Sequence, residues 1–409
     1  MTATQVLDLA AVAARTAGAT SVATLAAATA HLEPPYAVVD LGALATNARS
    51  LVSRAAGKPV RLATKSVRSR AISDAVLELD GFAGVLALTL PEALWLARTC
   101  EDVVVGYPTA DQHALQELAA DERLASRVTL MVDSMEQIDL VESVVPAGAP
   151  PIRVCLDLDA SLRLLQGRVH LGTRRSPVHS PDAAGRIARA IAARPRVRLV
   201  GMMAYEGQVA GLGDNTGSHL HRAQIRAVQA ASIAELARRR AAAVSAVREV
   251  TELEFVNGGG TGSIETTVAE DAVTEVAAGS GLYCPTLFDG YRRFHPHPAA
   301  YFVTSVVRRP SADMATVLGG GWVASGVPGA DRLPTPVWPP GLRLTAMEGA
   351  GEAQTPLTNA ADLRVGDRVW FRHAKAGEVC ERVNELHLVD DGRLVASVPT
   401  YRGEGRAFL

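Results

Sequence analysis

From about residue 36 onward, short β-branched runs alternate with longer Ala/Leu/Arg stretches in which apolar positions recur at helical spacing. The runs predict strands at Val60–Thr64, Phe82–Leu88, Asp102–Gly106, Val128–Val132, Ile152–Asp157, Val197–Met203, Glu254–Val256 and Glu275–Ala277. Helices are predicted between them at Ser69–Leu79, Pro91–Thr99, Ala110–Ala119, Met135–Val144, Asp182–Ala193 and His219–Arg248. Eight strands alternating with helices over roughly 250 residues match a (β/α)8 barrel of the TIM type better than an open sheet. After about residue 282 the texture changes. Prolines cluster at Pro334, Pro336, Pro339 and Pro340, and strand-like runs at Tyr301–Val307, Ala315–Leu318, Arg368–Phe371 and Arg393–Val398 are separated by Gly and Asp. The expected organisation is a helical extension over 1–30, a barrel over 31–281 and a mainly β domain over 282–409. The run Tyr36–Asp40 precedes the first barrel helix and is assignable to either domain. No period of 20 to 50 residues recurs, which excludes a solenoid.

The length of 409 residues agrees with two cooperating units, and 48% hydrophobic residues are enough for a substantial core. Lys+Arg total 41 against 43 Asp+Glu, a formal charge of −2, which argues against a nucleic-acid partner. No apolar run reaches the roughly 18 residues of a membrane span. Cys100, Cys155, Cys284 and Cys380 form no CxxC pair, so a zinc ribbon or disulfide framework is not expected. The first thirty residues lack a basic segment followed by a Leu-rich one and do not read as a signal peptide, which makes the cytoplasm the default compartment. The Arg- and Ala-rich stretch Arg238–Arg248 is read as the solvated face of an outer barrel helix.

Barrel chemistry is expected at the C-terminal ends of the strands. There, Lys65 follows the first strand, Tyr205 and Glu206 the sixth, Asn257-Gly-Gly-Gly-Thr261-Gly the seventh and Gly279-Ser280-Gly281 the eighth. Glycines let backbone N–H groups approach closely, Thr261 and Ser280 add hydroxyl donors, and loops after strands seven and eight commonly cradle a phosphate. A phosphate there with a lysine after strand one suits a phosphorylated aldehyde cofactor held as a Schiff base. Singly, each feature has an ordinary explanation: a solvated lysine, a tight turn, a packed tyrosine. Their joint occurrence in barrel order carries the weight.

The stretches Tyr36-Ala-Val-Val-Asp40-Leu-Gly-Ala-Leu-Ala-Thr-Asn47, Arg61-Leu-Ala-Thr-Lys65-Ser, Gly201-Met-Met-Ala-Tyr205-Glu-Gly207, Asn257-Gly-Gly-Gly-Thr261-Gly and Gly279-Ser280 together resemble the fold-type III pyridoxal-phosphate enzymes, a group that includes alanine racemase. The run Leu363-Arg-Val-Gly366-Asp367-Arg-Val, followed by His373, is more similar to the D-threonine aldolase and D-serine dehydratase branch. The resemblance spans roughly residues 30 to 405. It implies that Lys65 carries pyridoxal 5′-phosphate, that Gly259, Gly260, Thr261, Gly279 and Ser280 bind its phosphate, and that Tyr205 lies beside it. It also implies an arginine against the pyridine nitrogen. Arg175 is the better match and Arg163 a rival.

Two departures bear on the chemistry. In that branch a histidine followed two positions on by Cys or Asp binds a divalent metal, whereas here His373 is followed by Ala374 and Lys375. This leaves two readings: a metal held by His373 with Cys380 or Glu378, or a metal-free site in which Lys375 supplies positive charge or acts as a base. Gln208 stands where that branch has histidine, so no proton transfer is assigned to it. The resemblance implies a lyase for a β-hydroxy-α-amino acid of D configuration, acting by aldol cleavage or by dehydration, with His373 and Lys375 near the hydroxyl. The rivals are an amino-acid racemase, using Tyr283, Tyr291 or Tyr301 from a partner subunit, and a non-catalytic cofactor-binding protein. By analogy the chain is expected to form a homodimer.

Overall fold

The computed structural model describes residues 7–15 and 18–409. Eight parallel strands close into a barrel in the order Phe255–Gly258, Glu275–Ala278, Val60–Ala63, Phe82–Ala87, Val103–Val105, Val128–Val132, Ile152–Asp157 and Val197–Ala204, the last pairing back onto the first. Each strand predicted from the β-branched runs is present within a few residues. These runs are almost wholly buried, as expected for parallel strands enclosed between a packed interior and an outer layer of helices. Inside the barrel, Ala63, Leu86, Val104, Met131, Cys155, Val200, Met203, Phe255 and Ala277 form one cluster to which every strand contributes, with Tyr205 packed on it. Two residues before Ala63, and therefore on the same face of its strand, Arg61 is buried and bonded to Glu275 of the adjacent strand, Nε to Oε1 at 2.6 Å and NH2 to Oε2 at 2.9 Å. Asn257 donates to the same carboxylate at 2.8 Å. One layer of the barrel interior is thus ionic.

The helices follow the expected positions, and five of the six starts are fixed by a side-chain cap, the exception being Arg70–Leu77 after Ser69. Thr89, Asp111, Ser134, Ser180 and Ser218 accept hydrogen bonds from the first turns of the helices that follow them. The helix His219–Arg248 has the predicted bounds, but the reading of its arginines needs correction. Arg238 and Arg248 are exposed, whereas Arg239 and Arg240 are buried. Arg239 donates to the carbonyls of Asp159, Ser161 and His179 and pairs with Glu235; Arg240 pairs with Glu206 at 2.8 Å and Glu270 at 2.6 Å. Composition shows only how many charges a helix carries. Glu235 apart, the carboxylates and carbonyls that stabilise two of them inside come from other elements.

The second unit is built on a nine-stranded sheet with the path Arg343–Leu344, Gln354–Thr358, Met314–Leu318, Ala300–Ser311, Tyr36–Asp40, Glu385–Asp390 and Arg393–Pro399; Arg368–Arg372 also pairs with Ala300–Ser311, and Thr335–Trp338 with Arg368–Arg372. Tyr36–Asp40, open in the sequence, is one of its inner strands. It pairs antiparallel with Ala300–Ser311 (Tyr36 opposite Val303) and parallel with Glu385–Asp390 (Ala37 opposite Leu386), which explains why all five residues are buried. Two short helices, Leu9–Arg15 and Val22–Ala28, lie within the N-terminal thirty residues, and Leu25 joins Tyr36, Val38, Tyr301, Val303, Trp370 and Val389 in the core of this unit. By contacts, residues 1–50, 66–79 and 280–407 make up this unit, and 51–65, 80–279 and 408–409 the barrel unit.

Replacing Arg61 by Ala would strand the Glu275 carboxylate inside the barrel, at an expected cost of about 3–5 kcal/mol in denaturant unfolding, while the double replacement Arg61→Met with Glu275→Leu should recover most of it. A loss in the single variant no larger than that of an exposed arginine would show that the pair does not support the barrel.

Candidate active site

Val60–Ala63 ends in a single tight turn, Thr64–Ser66, anchored by the Thr64 hydroxyl on the carbonyl of Leu86 at 3.1 Å. This turn places Lys65 at the rim of the barrel. Its Nζ donates to the hydroxyl of Tyr107 at 2.5 Å and lies 5.1 Å from that ring's centroid. The Arg175 guanidinium stands 5.3 Å from the centroids of both Tyr107 and Tyr205. Lys65, Arg175 and Tyr205, about 140 positions apart from first to last in the chain, are thereby gathered around one aromatic ring. Tyr107 was not among the expected site residues. The available signal was its place just after Val103–Val105, in a chain with 4% aromatics.

Arg163 has a different setting. It sits on the small hairpin formed by Leu162–Leu164 and Val169–Leu171, and its guanidinium is held by Asp159. Gln208 is buried and donates to the carbonyl of Ala160 at 2.7 Å, a structural contact in place of a titratable one.

The glycine-rich turn after Phe255–Gly258 is held from beneath by Glu206. This buried carboxylate accepts from the backbone N–H of Gly259 at 3.3 Å, from the hydroxyls of Ser263 at 2.8 Å and Thr267, and from Arg240. Gly259 has φ +81°, the left-handed region that glycine adopts without strain. A Cβ on Gly260 would lie 3.1 Å from the Tyr205 ring and 3.1 Å from the Ala210 Cβ, so a side chain there would crowd both. Gly279 meets a harder limit: a Cβ would fall 2.4 Å from the carbonyl oxygen of Ala63. Its lack of a side chain lets the last barrel strand close on the first, directly before Lys65. Thr261 is buried, and its carbonyl accepts from Arg54 at 2.6 Å. Ser280, next after Gly279, opens the short helix Ser280–Tyr283.

Electrostatics separate the titratable groups at the rim. Burial, with Asp133 and Asp159 adding repulsion and Arg175 opposing, raises the Asp157 carboxyl to about 7. The packing around Tyr205 pushes its phenol up to about 12, partly offset by Arg175, so it stays protonated. Asp157 was legible only as a strand end. Its perturbation comes from neighbours on other strands.

In the second unit His373 and Lys375 line one cavity of about 280 Å³ together with Trp322, Glu378 and Arg382. His373 is buried, and among the described residues neither ring nitrogen makes a well-formed hydrogen bond, the Ala300 backbone interacting with it weakly. Burial and then Arg372 lower its pKa to about 4, so the imidazole is neutral near pH 7. Lys375 donates to the Ser325 hydroxyl at 2.8 Å, and Glu378 accepts from the Ser325 backbone N–H at 2.8 Å and hydroxyl at 2.5 Å. Cys380 is turned away from this cavity. Its thiol donates to the carbonyl of Val67 at 3.2 Å, and burial pushes it up to about 12.

Comparison with known proteins agrees with this architecture. The chain is 25% identical over 304 residues to 3-hydroxy-D-aspartate aldolase of Paracoccus denitrificans, covering 71% of this chain and 72% of that protein. Among solved structures, D-threonine aldolase from Filomicrobium marinum superposes with a TM-score of 0.74 at 23% identity, covering 91% of this chain and 96% of that one. D-threo-3-hydroxyaspartate dehydratase from Delftia sp. HT23 superposes with a TM-score of 0.67 at 20% identity, over 90% of this chain and 97% of that one. The family model of the alanine racemase N-terminal domain matches residues 39–286. A barrel closed between Lys65 and Gly279, a glycine turn after its seventh strand and a match over more than half of the chain lead to one assignment: this protein belongs to the alanine racemase N-terminal domain family, the barrel of the fold-type III pyridoxal-phosphate enzymes.

Proposed function

We propose that the chain is a pyridoxal-phosphate-dependent lyase acting on a β-hydroxy-α-amino acid of D configuration, by Cα–Cβ cleavage or by loss of the hydroxyl. The observation that carries this reading is the convergence of Lys65, Tyr107, Arg175 and Tyr205 at the barrel rim. Lys65 Nζ is the amine that would hold the cofactor aldehyde. Arg175 is the cation for the pyridine nitrogen, a choice supported by its place beside Tyr205, whereas Arg163 is engaged by Asp159. Gly259, Gly260, Thr261 and Gly279, with Ser280 next in the chain, would hold the phosphate, and the tight fit at Gly260 and Gly279 suits a group that approaches backbone. When bound, the cofactor supplies a sink for the electron pair released at the substrate Cα.

The protein side of the chemistry is proton handling. Tyr107 OH, bonded to Lys65 Nζ, is placed to pass a proton to or from that nitrogen. Glu206 keeps the glycine turn in place without touching the reacting atoms. We assign His373, kept neutral by burial, as the proton acceptor for a β-hydroxyl. The racemase reading needs a tyrosine offered to another subunit. Tyr283, Tyr291 and Tyr301 are all buried within their own unit, Tyr283 bonded to the carbonyl of Val67 and Tyr301 to that of Pro298, which weighs against it.

The reading is tested by adding pyridoxal phosphate, reducing with borohydride and mapping the modified peptide: it should contain Lys65, and Lys65→Ala should yield none. With D-threonine, D-serine and 3-hydroxy-D-aspartate as substrates, aldehyde release identifies cleavage and keto-acid release dehydration; inversion of D-alanine without either product would replace the lyase by the racemase. Tyr107→Phe is expected to lower kcat about 10²-fold while leaving the mapped attachment at Lys65 intact. An unchanged kcat would remove Tyr107 from the proton path.

Asp157 gives a pH signature. Its carboxyl titrates near 7 in the folded chain and near 3.8 as an ordinary aspartate. Between these values the folded state holds the extra proton, so wild-type stability falls as pH rises through this window and the penalty is complete above about pH 7. Asp157→Asn should therefore gain thermal stability relative to wild type from about pH 4 to about pH 8. Parallel melting curves for the two proteins across that range would contradict the raised value.

A further inference from the structure

The C-terminal resemblance implies a divalent metal held by a histidine and a second ligand two positions on, and the donors around His373 do not fit one. Position 375 is a lysine, whose ammonium has no lone pair to give and repels a cation. Cys380, the soft alternative, is absent from the cavity wall, and its thiol keeps its proton on the carbonyl of Val67. Glu378, the hard alternative, has each carboxylate oxygen bonded to Ser325, one to its N–H and one to its hydroxyl, with Lys375 Nζ 3.6 Å from Oε1. Among the described residues no three His, Cys, Asp or Glu side chains are grouped closely enough to hold a metal.

The same wall nevertheless presents a matched pair of groups. His373 is buried with no side-chain partner and no well-formed hydrogen bond on either ring nitrogen, only a weak interaction with the Ala300 backbone, so a ligand oxygen that reaches the ring gains a hydrogen bond. Lys375 is fixed through Ser325 and Glu378, which hold its flexible stem and leave two further N–H donors on the ammonium. A neutral ring that accepts or donates and an ammonium that only donates complement an oxygen ligand. We propose that this cavity excludes a divalent cation and receives a hydroxyl or carboxylate oxygen between His373 and Lys375, the ammonium braced by Ser325 and Glu378 providing the positive charge that a metal would otherwise supply. Which oxygen it receives rests on the lyase reading; the exclusion of a cation does not.

Metal content separates the two. The full-length protein, dialysed against Mn²⁺ or Zn²⁺ and freed of loose ions, should contain far less than one equivalent by plasma mass spectrometry. Lys375→Asp and Lys375→Cys remove the ammonium and add an anionic or soft ligand two positions from His373, and each should retain about one equivalent. Adding His373→Ala to either variant should abolish that uptake. Circular dichroism establishes that the variants fold, and having two of them guards against the loss of one. Stoichiometric metal in the wild type that disappears in His373→Ala would overturn the proposal. So would folded variants at position 375 that both stay metal-free, because Lys375 would then not be the excluding group. None of these outcomes reads turnover, so a failure of the lyase reading would appear separately, as absence of both aldehyde and keto acid.

Discussion

Across the seam where the first barrel strand meets the last, Arg61 donates through two nitrogens to the two oxygens of Glu275, and the Ala63 carbonyl stands where a Cβ of Gly279 would have been. This closure is the constraint on which the candidate site depends. It brings the turn carrying Lys65 beside the strand that ends at Gly279, although more than 200 positions separate them in the chain. A side chain at 279 would push the two strands apart. Loss of Arg61 would leave the Glu275 charge inside the barrel with the Asn257 amide as its remaining partner, where desolvation is costly.

A second set of buried charges supports the neighbouring turn. Glu206 bonds Gly259, Ser263 and Thr267, and Arg240, from the long helix, binds both Glu206 and Glu270. Each charge would be expensive alone. Together they are satisfied, and their directional bonds define the path of the glycine turn more narrowly than apolar packing does. The site is therefore mounted on a polar frame: one ion pair within the barrel and one network in its wall, with aliphatic packing filling the rest of the interior.

At the rim, the ring of Tyr107 is the common neighbour of Lys65 and Arg175. The arrangement puts two cations within about 5 Å of one aromatic ring, Lys65 bonded to its phenol oxygen, with Asp157 and Asp133 close enough to each other to repel. Of the groups there, the Asp157 carboxyl, raised to about 7 by burial, is the one whose neutral and ionised forms lie close in free energy near pH 7. In the other unit the opposite tendency holds: His373 is kept neutral by burial, and Lys375 is given fixed partners.

Much of this was written locally. The β-branched runs and their spacing determined the eight strands, and Lys65, Tyr205, the glycine turn and Gly279 were recognisable because strand ends and glycines leave marks in one dimension. The resemblance named Arg175 ahead of Arg163 without deciding between them; in the structure Arg175 stands by the Tyr107 ring and Arg163 is held by Asp159. Tyr107 itself, the burial of Arg239 and Arg240, the pinning role of Glu206, the raised Asp157 and the place of Tyr36–Asp40 inside the second sheet all escaped a linear reading. Each depends on which residues from distant strands come within bonding distance, and burial and electrostatics act through space rather than along the chain. The sequence by itself determined where elements form and which glycines they require; the tertiary structure decided which charges are paired, which phenol meets the lysine and which way Cys380 faces.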